Sequence, residues 1–347
     1  MNNADYLRKF LLTAACVLML APSTATADDA AACVTQNVKS TFLQLWRSDA
    51  ERTGKQWDTR LGELRELGFN EIIVQWSTYG NVSFFPDPRA EFETAACLEL
   101  FIMAAARQGF RIQLGLQYDP DFWQHIDSSK PITRYLKQRL KTITQSLDPL
   151  LAVSQWADPT GTTVKGWYIS DEIDDVHWQD PQKQSGLAAY LKELSRRLTQ
   201  KKDRWPIAIS GFSNGALAPD QLALFWKRLL IATGIDTFLF QDGIGAAKLM
   251  PADLPGYLST LASTLKGPQT TLGVVVELFE IKMAAPEFQT QSAAFERIAH
   301  QLQLADKYSQ RDITVFSAPD HLIGNSSTQT LELNRQWRAD RAACDVE

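Results

Sequence analysis

The sequence predicts an α/β protein built as a single (β/α)8 barrel. Short apolar segments rich in β-branched residues alternate about eight times with longer helical segments, as in parallel strands joined by helices. The chain has 347 residues, a length that suits such a barrel. An open doubly wound sheet is the alternative, but it requires a glycine-rich phosphate turn after an early strand, and the sequence has none.

The strand segments follow one another in a regular order. They are STFLQLW (40–46), NEIIVQWSTYG (70–80), RIQLGLQYDP (111–120), VKGWYIS (164–170), WPIAISGF (205–212), DTFLFQDG (236–243), TTLGVVVELFE (270–280) and DITVFSAP (312–319). Helical patterns lie between them, and several begin with Pro and end near Gly, as helix start and stop signals predict. These patterns cover 57–68, a segment from about 91, 132–156, 181–201, 219–233, 251–265, 286–308 and 328–342.

The composition argues against a nucleic-acid-binding protein. The chain is 45% hydrophobic and 22% charged, which is ordinary for a globular protein. Its formal net charge is −5, and lysine and arginine are scattered, whereas a nucleic-acid-binding surface is normally basic. We therefore expect no nucleic-acid partner.

The first 27 residues have the organisation of a secretory signal peptide. Arg8 and Lys9 precede the apolar run FLLTAACVLMLA, and the segment ends in Ala25-x-Ala27. The run of about a dozen residues is too short for a membrane span of roughly 20, and no later segment is apolar enough to form an anchor. We therefore predict a signal peptide over 1–27, cleaved near Ala27, and a barrel domain over 28–347. The mature protein would be periplasmic or secreted, without a stable membrane anchor.

Three cysteines remain after this cleavage. Cys33 and Cys344 lie at the two ends of the mature chain and can pair if the fold brings these ends together. A barrel places its first strand beside its last helix, which makes this pairing geometrically reasonable. Cys97 lies in a helical run and is most simply a buried small hydrophobe. No pair of cysteines has the spacing of metal ligands.

Polar and aromatic residues recur where the strands end. In a barrel, the active site is built at the C-terminal ends of the strands. Amides, carboxylates and flat rings suit a carbohydrate, whose hydroxyls need polar partners and whose C–H faces pack on aromatic rings. The predicted substrate-binding residues are Gln44, Trp46, Gln75, Trp76, Tyr118, Asp119, Trp123, Asp171, Asn214, Gln241 and Asp242.

The fourth strand runs directly into a cluster of acids, in GWYISDEIDD (166–175). By the two-residue alternation of a strand, Glu172 shares a face with Tyr168, whereas Asp171 takes the opposite face. In the seventh strand, Glu277 shares a face with Val275. If these faces point inward, both glutamates reach the mouth of the barrel.

Two carboxyls across a sugar-binding cleft indicate a glycosidase, and a separation of about 5–5.5 Å would make it a retaining one. Glu172 is then the general acid/base, with a pKa raised by neighbouring acids, and Glu277 is the nucleophile, which stays ionised. Glu280 is the reserve nucleophile. Asp174 and Asp175 are expected to cap the following helix.

The pattern TFLQLW…ELGFNEIIVQW…LGLQYDPDFW…GWYISDEID…QDGIG…VELFE resembles the bacterial family known as domain of unknown function 4434. The resemblance covers about 40–319. It implies a barrel similar to the large retaining glycosidase clan, with Glu172 as acid/base, Glu277 as nucleophile, and Gln241 and Asp242 in the cleft. Members of that clan normally have Asn immediately before the acid, and this chain has Asp171 there. The resemblance also implies a secreted polysaccharide, such as a β-glucan, as substrate.

Two other functions stay open on the sequence. A non-catalytic carbohydrate-binding barrel of a polysaccharide export or biofilm system would need the aromatic residues but no matched acids. A metal-dependent deacetylase or esterase would need several metal ligands, and the 4 histidines, His177 among them, are scattered. We therefore expect a glycoside hydrolase that uses no metal or other cofactor. Its partner would be a polysaccharide or oligosaccharide, and a polysaccharide secretion machinery is the protein partner considered.

Overall fold

Eight parallel strands close into a barrel, which confirms the predicted fold. The computed structural model describes residues 33–89, 92–128, 131–267, 270–282, 289–324 and 326–344, so the predicted signal peptide lies outside the described residues. Each strand pairs with the next in sequence, and the last pairs with the first. The strands are β1 (Val38–Leu43), β2 (Glu71–Val74), β3 (Arg111–Gly115), β4 (Val164–Ile173), β5 (Ile207–Gly211), β6 (Thr237–Gln241), β7 (Thr271–Glu277) and β8 (Ile313–Phe316).

A long helix follows each strand. The helices are α1 (Gly54–Glu66), α2 (Leu98–Arg107), α3 (Ile132–Ala157), α4 (Pro181–Lys201), α5 (Pro219–Thr233), α6 (Leu254–Thr264), α7 (Phe295–Tyr308) and α8 (Thr328–Cys344). The predicted helix over 286–308 begins only at Phe295. Thr290–Ser292 instead forms an antiparallel pair with Phe279–Ile281, the segment that directly follows β7. The backbone groups of 290–292 are therefore hydrogen-bonded in a strand and not in a helix.

Shorter elements lie in the loops. Helical turns cover Arg47–Glu51, Phe122–Asp127 and Ala318–His321, and a small sheet joins Glu93–Thr94, Val82–Ser83, Thr78–Tyr79 and Gln117–Tyr118. None of the helices in the described ranges combines the length and the apolar character that a bilayer span requires.

A cluster of apolar side chains lies in the interior of the barrel. Its members are Phe42, Ile73, Tyr168, Ala208, Leu239 and Val275, with Phe316 packed against them. Side chains alternate along a strand, so the residue two positions after Val275 faces inward as well. The residue four positions after Tyr168 lies in an irregular part of the β4–β5 pairing and lines the open end of the barrel. These residues are Glu277 and Glu172, and both lie at the C-terminal end of the barrel.

The opposite end of the barrel is closed by a buried ion cluster. The Glu71 carboxylate lies 2.7 Å from Arg311 and 3.1 Å from Arg111, and it accepts a hydrogen bond of 2.6 Å from Gln113. Burial alone would raise the pKa of Glu71, but the charge and hydrogen bonds of the two arginines outweigh burial, and its pKa is lowered. Polar groups therefore close the base of the barrel, and the open end is the place for a ligand.

A disulfide joins the two ends of the described chain. Cys33 and Cys344 are bonded, with their Cα atoms 5.1 Å apart, and Cys97 is buried and free. Beside the disulfide, the Asp340 carboxylate accepts hydrogen bonds from the Thr35 backbone N–H at 3.0 Å and from its hydroxyl at 2.8 Å. The start of β1 is therefore tied to the end of α8.

Replacing both Cys33 and Cys344 with serine is expected to lower the free energy of unfolding by about 2–4 kcal/mol, because the crosslink restricts the unfolded chain. Urea unfolding followed by circular dichroism measures the change. Wild type treated with a reductant should match the variant, and the variant itself should not respond to the reductant. Equal stability of the variant and the oxidised wild type would contradict this role.

Candidate active site

Glu172 lies near the end of β4, half-buried at the mouth of the barrel. The Gln241 side-chain amide donates hydrogen bonds to the Glu172 carboxylate at 3.1 Å and to the Ser210 hydroxyl at 2.9 Å. The Ser210 hydroxyl in turn lies 2.7 Å from the Tyr168 hydroxyl inside the barrel. A polar chain from the barrel interior thus orients the Glu172 carboxyl toward the opening.

Glu277 is the last residue of β7 and is held by the loop that follows β6. The backbone N–H of Ala246 donates a hydrogen bond of 2.7 Å to the Glu277 carboxylate. Gly245 passes so close that a Cβ atom there would lie 2.1 Å from the Phe279 carbonyl oxygen and 3.0 Å from the Glu277 carboxylate. Gly243 has a positive φ of 67°, a conformation that favours glycine. The two glycines therefore allow this loop to cover the glutamate.

Both glutamates line one cleft of about 900 Å³ at the open end of the barrel. Eight of the residues predicted from the sequence line it: Gln44, Trp46, Gln75, Trp76, Tyr118, Glu172, Gln241 and Glu277. The other lining residues are Tyr79, Ala246, Lys248, Phe279, Thr290, Gln291, Phe316, Asp320, His321 and Gly324. Residues in or after seven of the eight strands, all but β5, therefore contribute to a single concave surface.

Aromatic rings form one wall of this cleft. Trp46 is 41% exposed and contacts Trp76, with ring centroids 5.2 Å apart. Tyr79 stacks on Tyr118, with centroids 5.6 Å apart. Flat exposed rings beside amides suit the C–H faces and hydroxyls of a sugar.

Burial is the main reason why the pKa of Glu172 is raised. Asp174 raises this pKa further, whereas the hydrogen bond from Gln241 and the charge of Lys248 lower it. The sequence-based expectation attributed the shift to the whole acidic cluster. In the structure, burial is the larger cause, because Asp171, Asp174 and Asp175 are hydrogen-bonded or ion-paired to other residues.

Burial also raises the pKa of Glu277, and the neighbouring carboxyl of Asp242 raises it further. The Ala246 N–H and the charges of Lys248 and Arg297 act in the opposite direction. Asp242 is fully buried as well, and burial raises its pKa. The surroundings of Glu277 therefore differ from the expectation of a simply ionised carboxylate, and its ionised form depends on nearby positive charge.

The profile of the family described as "Domain of unknown function (DUF4434)" matches residues 38–326. The chain belongs to this family. A relative, the uncharacterized protein YbcH of Escherichia coli K12, is 30% identical over 275 residues, which cover 79% of this chain and 83% of YbcH. The resemblance seen in the sequence is thereby confirmed.

Solved structures share the barrel at low sequence identity. A Bacteroides thetaiotaomicron protein described as a "putative alpha-L-fucosidase" matches with a TM-score of 0.72 and 15% identity, over 95% of this chain and 100% of the other. A β-galactosidase from Marinomonas ef1 gives 0.55 and 10%, over 89% of this chain and 59% of the other. An intracellular xylanase from Thermoanaerobacterium saccharolyticum gives 0.50 and 11%, over 85% and 91%. At such identities the similarity establishes the fold.

Five predicted substrate contacts of the DUF4434 barrel lie outside this cleft, and Asp171 is the clearest case. Its carboxylate lies 2.6 Å from the Arg139 guanidinium and accepts a hydrogen bond of 2.5 Å from the Tyr190 hydroxyl. Asp171 and Arg139 are only 1% and 3% exposed. Because alternation turns Asp171 away from the barrel interior, it pairs with the helices α3 and α4 and takes no place at the cleft.

Asp175 and Asp174 organise the loop after β5. The Asp175 carboxylate accepts hydrogen bonds from the Ser213 hydroxyl at 2.6 Å and from the Asn214 N–H at 2.8 Å, and Asp174 accepts one from the Asn214 amide at 3.0 Å. Asn214 is therefore occupied outside the cleft. The expected capping role of the two acids is wrong, because Asp180 caps α4 by accepting the N–H groups of its first turn.

The remaining three residues also have partners elsewhere. Asp119 accepts a hydrogen bond of 2.7 Å from the Tyr135 hydroxyl. The ring of Trp123 packs on His177, with centroids 4.9 Å apart. Asp242 lies beneath the cleft, where Gln301 donates to its carboxylate. Asp242 therefore does not line the cleft, but its carboxyl group raises the pKa of Glu277 from beneath it.

The described residues offer little to a metal ion. One group of three potential ligands comes within 4.8 Å of one another, namely Cys33, Asp340 and Cys344. Its two sulfur atoms are joined in the disulfide and cannot serve as thiolate ligands. The two ring nitrogens of His177 lie 2.6 Å from Asp174 and 3.3 Å from Asp127, and the ligand atoms of these three residues do not all lie within 4.8 Å of one another.

Sequence reasoning missed Lys248, a cleft residue whose charge lowers the pKa of both Glu172 and Glu277. Lys248 lies in the loop QDGIGAAKLM (241–250), and its ammonium stands 3.0 Å from the centroid of the Phe212 ring. Gly243 and Gly245 indicated that the backbone of this loop packs closely against a neighbouring segment. Nothing local indicated that the loop returns a cation to the cleft.

Proposed function

We propose that this protein is a retaining glycoside hydrolase that acts on a polysaccharide, either an exopolysaccharide or a β-glucan, outside the cytoplasm. The observation that carries the proposal is the cleft in which Glu172 and Glu277, from β4 and β7, meet an aromatic wall. Two proteins with similar barrels are a xylanase and a β-galactosidase, which supports hydrolysis of a glycosidic bond as the reaction. The predicted signal peptide and the disulfide both fit an oxidising compartment.

Hydrolysis would proceed in two steps. In the first, the Glu277 carboxylate bonds to the anomeric carbon, the glycosidic C–O bond breaks, and the leaving oxygen takes the proton from Glu172. In the second, water attacks the anomeric carbon and gives a proton to Glu172, while the bond to Glu277 breaks. Each glutamate ends the cycle in its starting state.

The surroundings of Glu172 and the fixed position of Glu277 support the two roles. Burial raises the pKa of Glu172, which favours the protonated form that a general acid needs. Glu277 is fixed at the end of a strand by the Ala246 N–H, and a nucleophile needs such a defined position. Burial and Asp242 also raise the pKa of Glu277, so its ionised form depends on nearby positive charge. The Trp46 ring and the Gln44 and Gln75 amides, which are hydrogen-bonded at 2.7 Å, would hold the sugar.

The purified protein is expected to release reducing ends from at least one member of a panel of β-glucans and bacterial exopolysaccharides. Proton NMR of the first products should show the anomeric configuration of the substrate. The matched control is the Glu172→Gln/Glu277→Gln double variant. Calorimetric binding of oligosaccharides without cleavage, even after long incubation, would favour the non-catalytic carbohydrate-binding barrel, and inverted products would reject the retaining mechanism.

A further inference from the structure

The Lys248 ammonium is a cation without a close counter-ion in the cleft. It lines the same cavity as Glu172 and Glu277 and stands on the face of the Phe212 ring. Among the described residues, no carboxylate oxygen lies within 4.0 Å of the Lys248 nitrogen, the distance limit for an ion pair. A half-buried cation loses hydration, and here the face of the Phe212 ring and the negative charge of the cleft offset that loss.

Four carboxyl groups act on this ammonium from a longer distance. Burial lowers the pKa of Lys248, and Glu172, Glu277, Asp174 and Asp175 raise it. Asp175 accepts four hydrogen bonds from the loop after β5, and Asp174 is bound by His177 and Asn214. The two cleft glutamates are thus the acids whose charge Lys248 is free to balance.

A retaining reaction moves one negative charge between two carboxyl groups. Before the first step, the nucleophile is ionised and the acid is protonated. After this step, the nucleophile is part of an ester and the acid has become a carboxylate. A single fixed cation that acts on both groups can stabilise the charge at either stage, since Coulomb attraction does not require contact.

Building on the proposed function, we propose that Lys248 is the shared counter-ion of the two glutamates. It stabilises the Glu277 carboxylate before glycosyl transfer and the Glu172 carboxylate after it. The loop after β6 serves both purposes at once, because its Ala246 N–H binds Glu277 and its lysine supplies the charge. Lys248 is a positioning residue in this scheme, because it forms no bond with the substrate.

Other charged groups face the glutamates and stay in place when Lys248 is changed. Asp242 at the end of β6 and Arg297 of α7 act on Glu277. Asp174 acts on Glu172. Asp320 and His321, after β8, also line the cleft. The effect of Lys248 is therefore measured against a constant background.

The first test is the pH dependence of kcat/KM in Lys248→Met. Without the cation, both carboxyl groups should become weaker acids, so both limbs of the profile should move to higher pH by about one unit. Activity near the acidic limb should fall about tenfold as a result. Lys248→Arg should restore the profile, and Lys227→Met, which removes an exposed lysine of α5, should leave it unchanged. A uniform loss of activity with unmoved limbs would overturn the proposal.

The second test needs no substrate. In protein labelled with carbon-13 at the glutamate carboxyl groups, NMR titration should show higher midpoints for Glu172 and Glu277 in Lys248→Met. Glu172→Gln and Glu277→Gln assign the signals, and Lys248→Gln replaces the methionine variant if circular dichroism shows that the latter is unfolded. Shifted midpoints in a protein that cleaves no polysaccharide would refute the glycosidase and keep the counter-ion. Unshifted midpoints would refute the counter-ion, whatever the activity.

Discussion

Replacing Glu277 with glutamine is expected to lower kcat about 10⁴-fold or more, because an amide cannot form the glycosyl-enzyme bond. Replacing Glu172 with glutamine should cost about 10²–10⁴-fold, the range typical of general acid catalysis. Initial rates on the best polysaccharide of the panel measure both. The fold should persist in each variant, since glutamine keeps the shape of the side chain and, at Glu172, can keep the hydrogen bond from Gln241.

The choice of leaving group separates the two roles. An aryl glycoside with an acidic phenol departs without a proton, so Glu172→Gln should cleave it rapidly and then stall at the second step, whereas Glu277→Gln should fail with every substrate. Glu280→Gln is the matched control, because Glu280 lies in the adjacent hairpin, accepts a hydrogen bond of 2.8 Å from Gln291 and does not line the cleft. If both glutamine variants retained full activity, the assignment of the catalytic pair would be wrong.

Replacing Asp171 with asparagine is expected to lower the free energy of unfolding by about 3–5 kcal/mol, because it leaves the buried Arg139 charge without a counter-ion. Arg139 cannot turn to solvent, since it is 3% exposed and also donates hydrogen bonds to the Gln117 side chain at 2.9 Å and its backbone carbonyl at 2.7 Å. Urea unfolding measures the change. Substrate affinity of the protein that remains folded should be unaltered, as Asp171 lies outside the cleft.

The matched control removes both charges together. Asp171→Leu/Arg139→Met should be less destabilised than Asp171→Asn, because a buried ion pair replaced by apolar side chains leaves no charge uncompensated. A specific rise in KM for Asp171→Asn without loss of stability would instead support the original prediction that Asp171 contacts the substrate.

Much of the site followed from local pattern. Alternation along β7 is a property of the backbone, so the inward direction of Glu277 could be derived from a few residues on either side. Placement of Glu172 and Glu277 at the C-terminal ends of the strands followed from the fold class. The same reasoning brought Gln44, Gln75 and Gln241 to the cleft.

Partners could not be derived in this way. Asp171 was predicted to bind substrate because it precedes Glu172, yet Arg139 neutralises it and Tyr190 donates a hydrogen bond to it from a second helix. Asp175 was expected to cap the helix that follows β4, but its carboxylate accepts hydrogen bonds from backbone N–H groups of the loop after β5. The approach of Lys248 to the glutamates has no local signature, whereas the pairing of Cys33 with Cys344 was suggested by the fold class and is present in the structure.

The sequence by itself determined the order of strands and helices and brought Glu172 and Glu277 to the open end of the barrel. Only the tertiary structure decided which acids are neutralised, which are desolvated and which cation faces the cleft. The reason is physical. Side-chain direction is set by neighbouring backbone, whereas the protonation of a carboxyl depends on every charge and dipole within several ångströms, and the barrel assembles those from all parts of the chain.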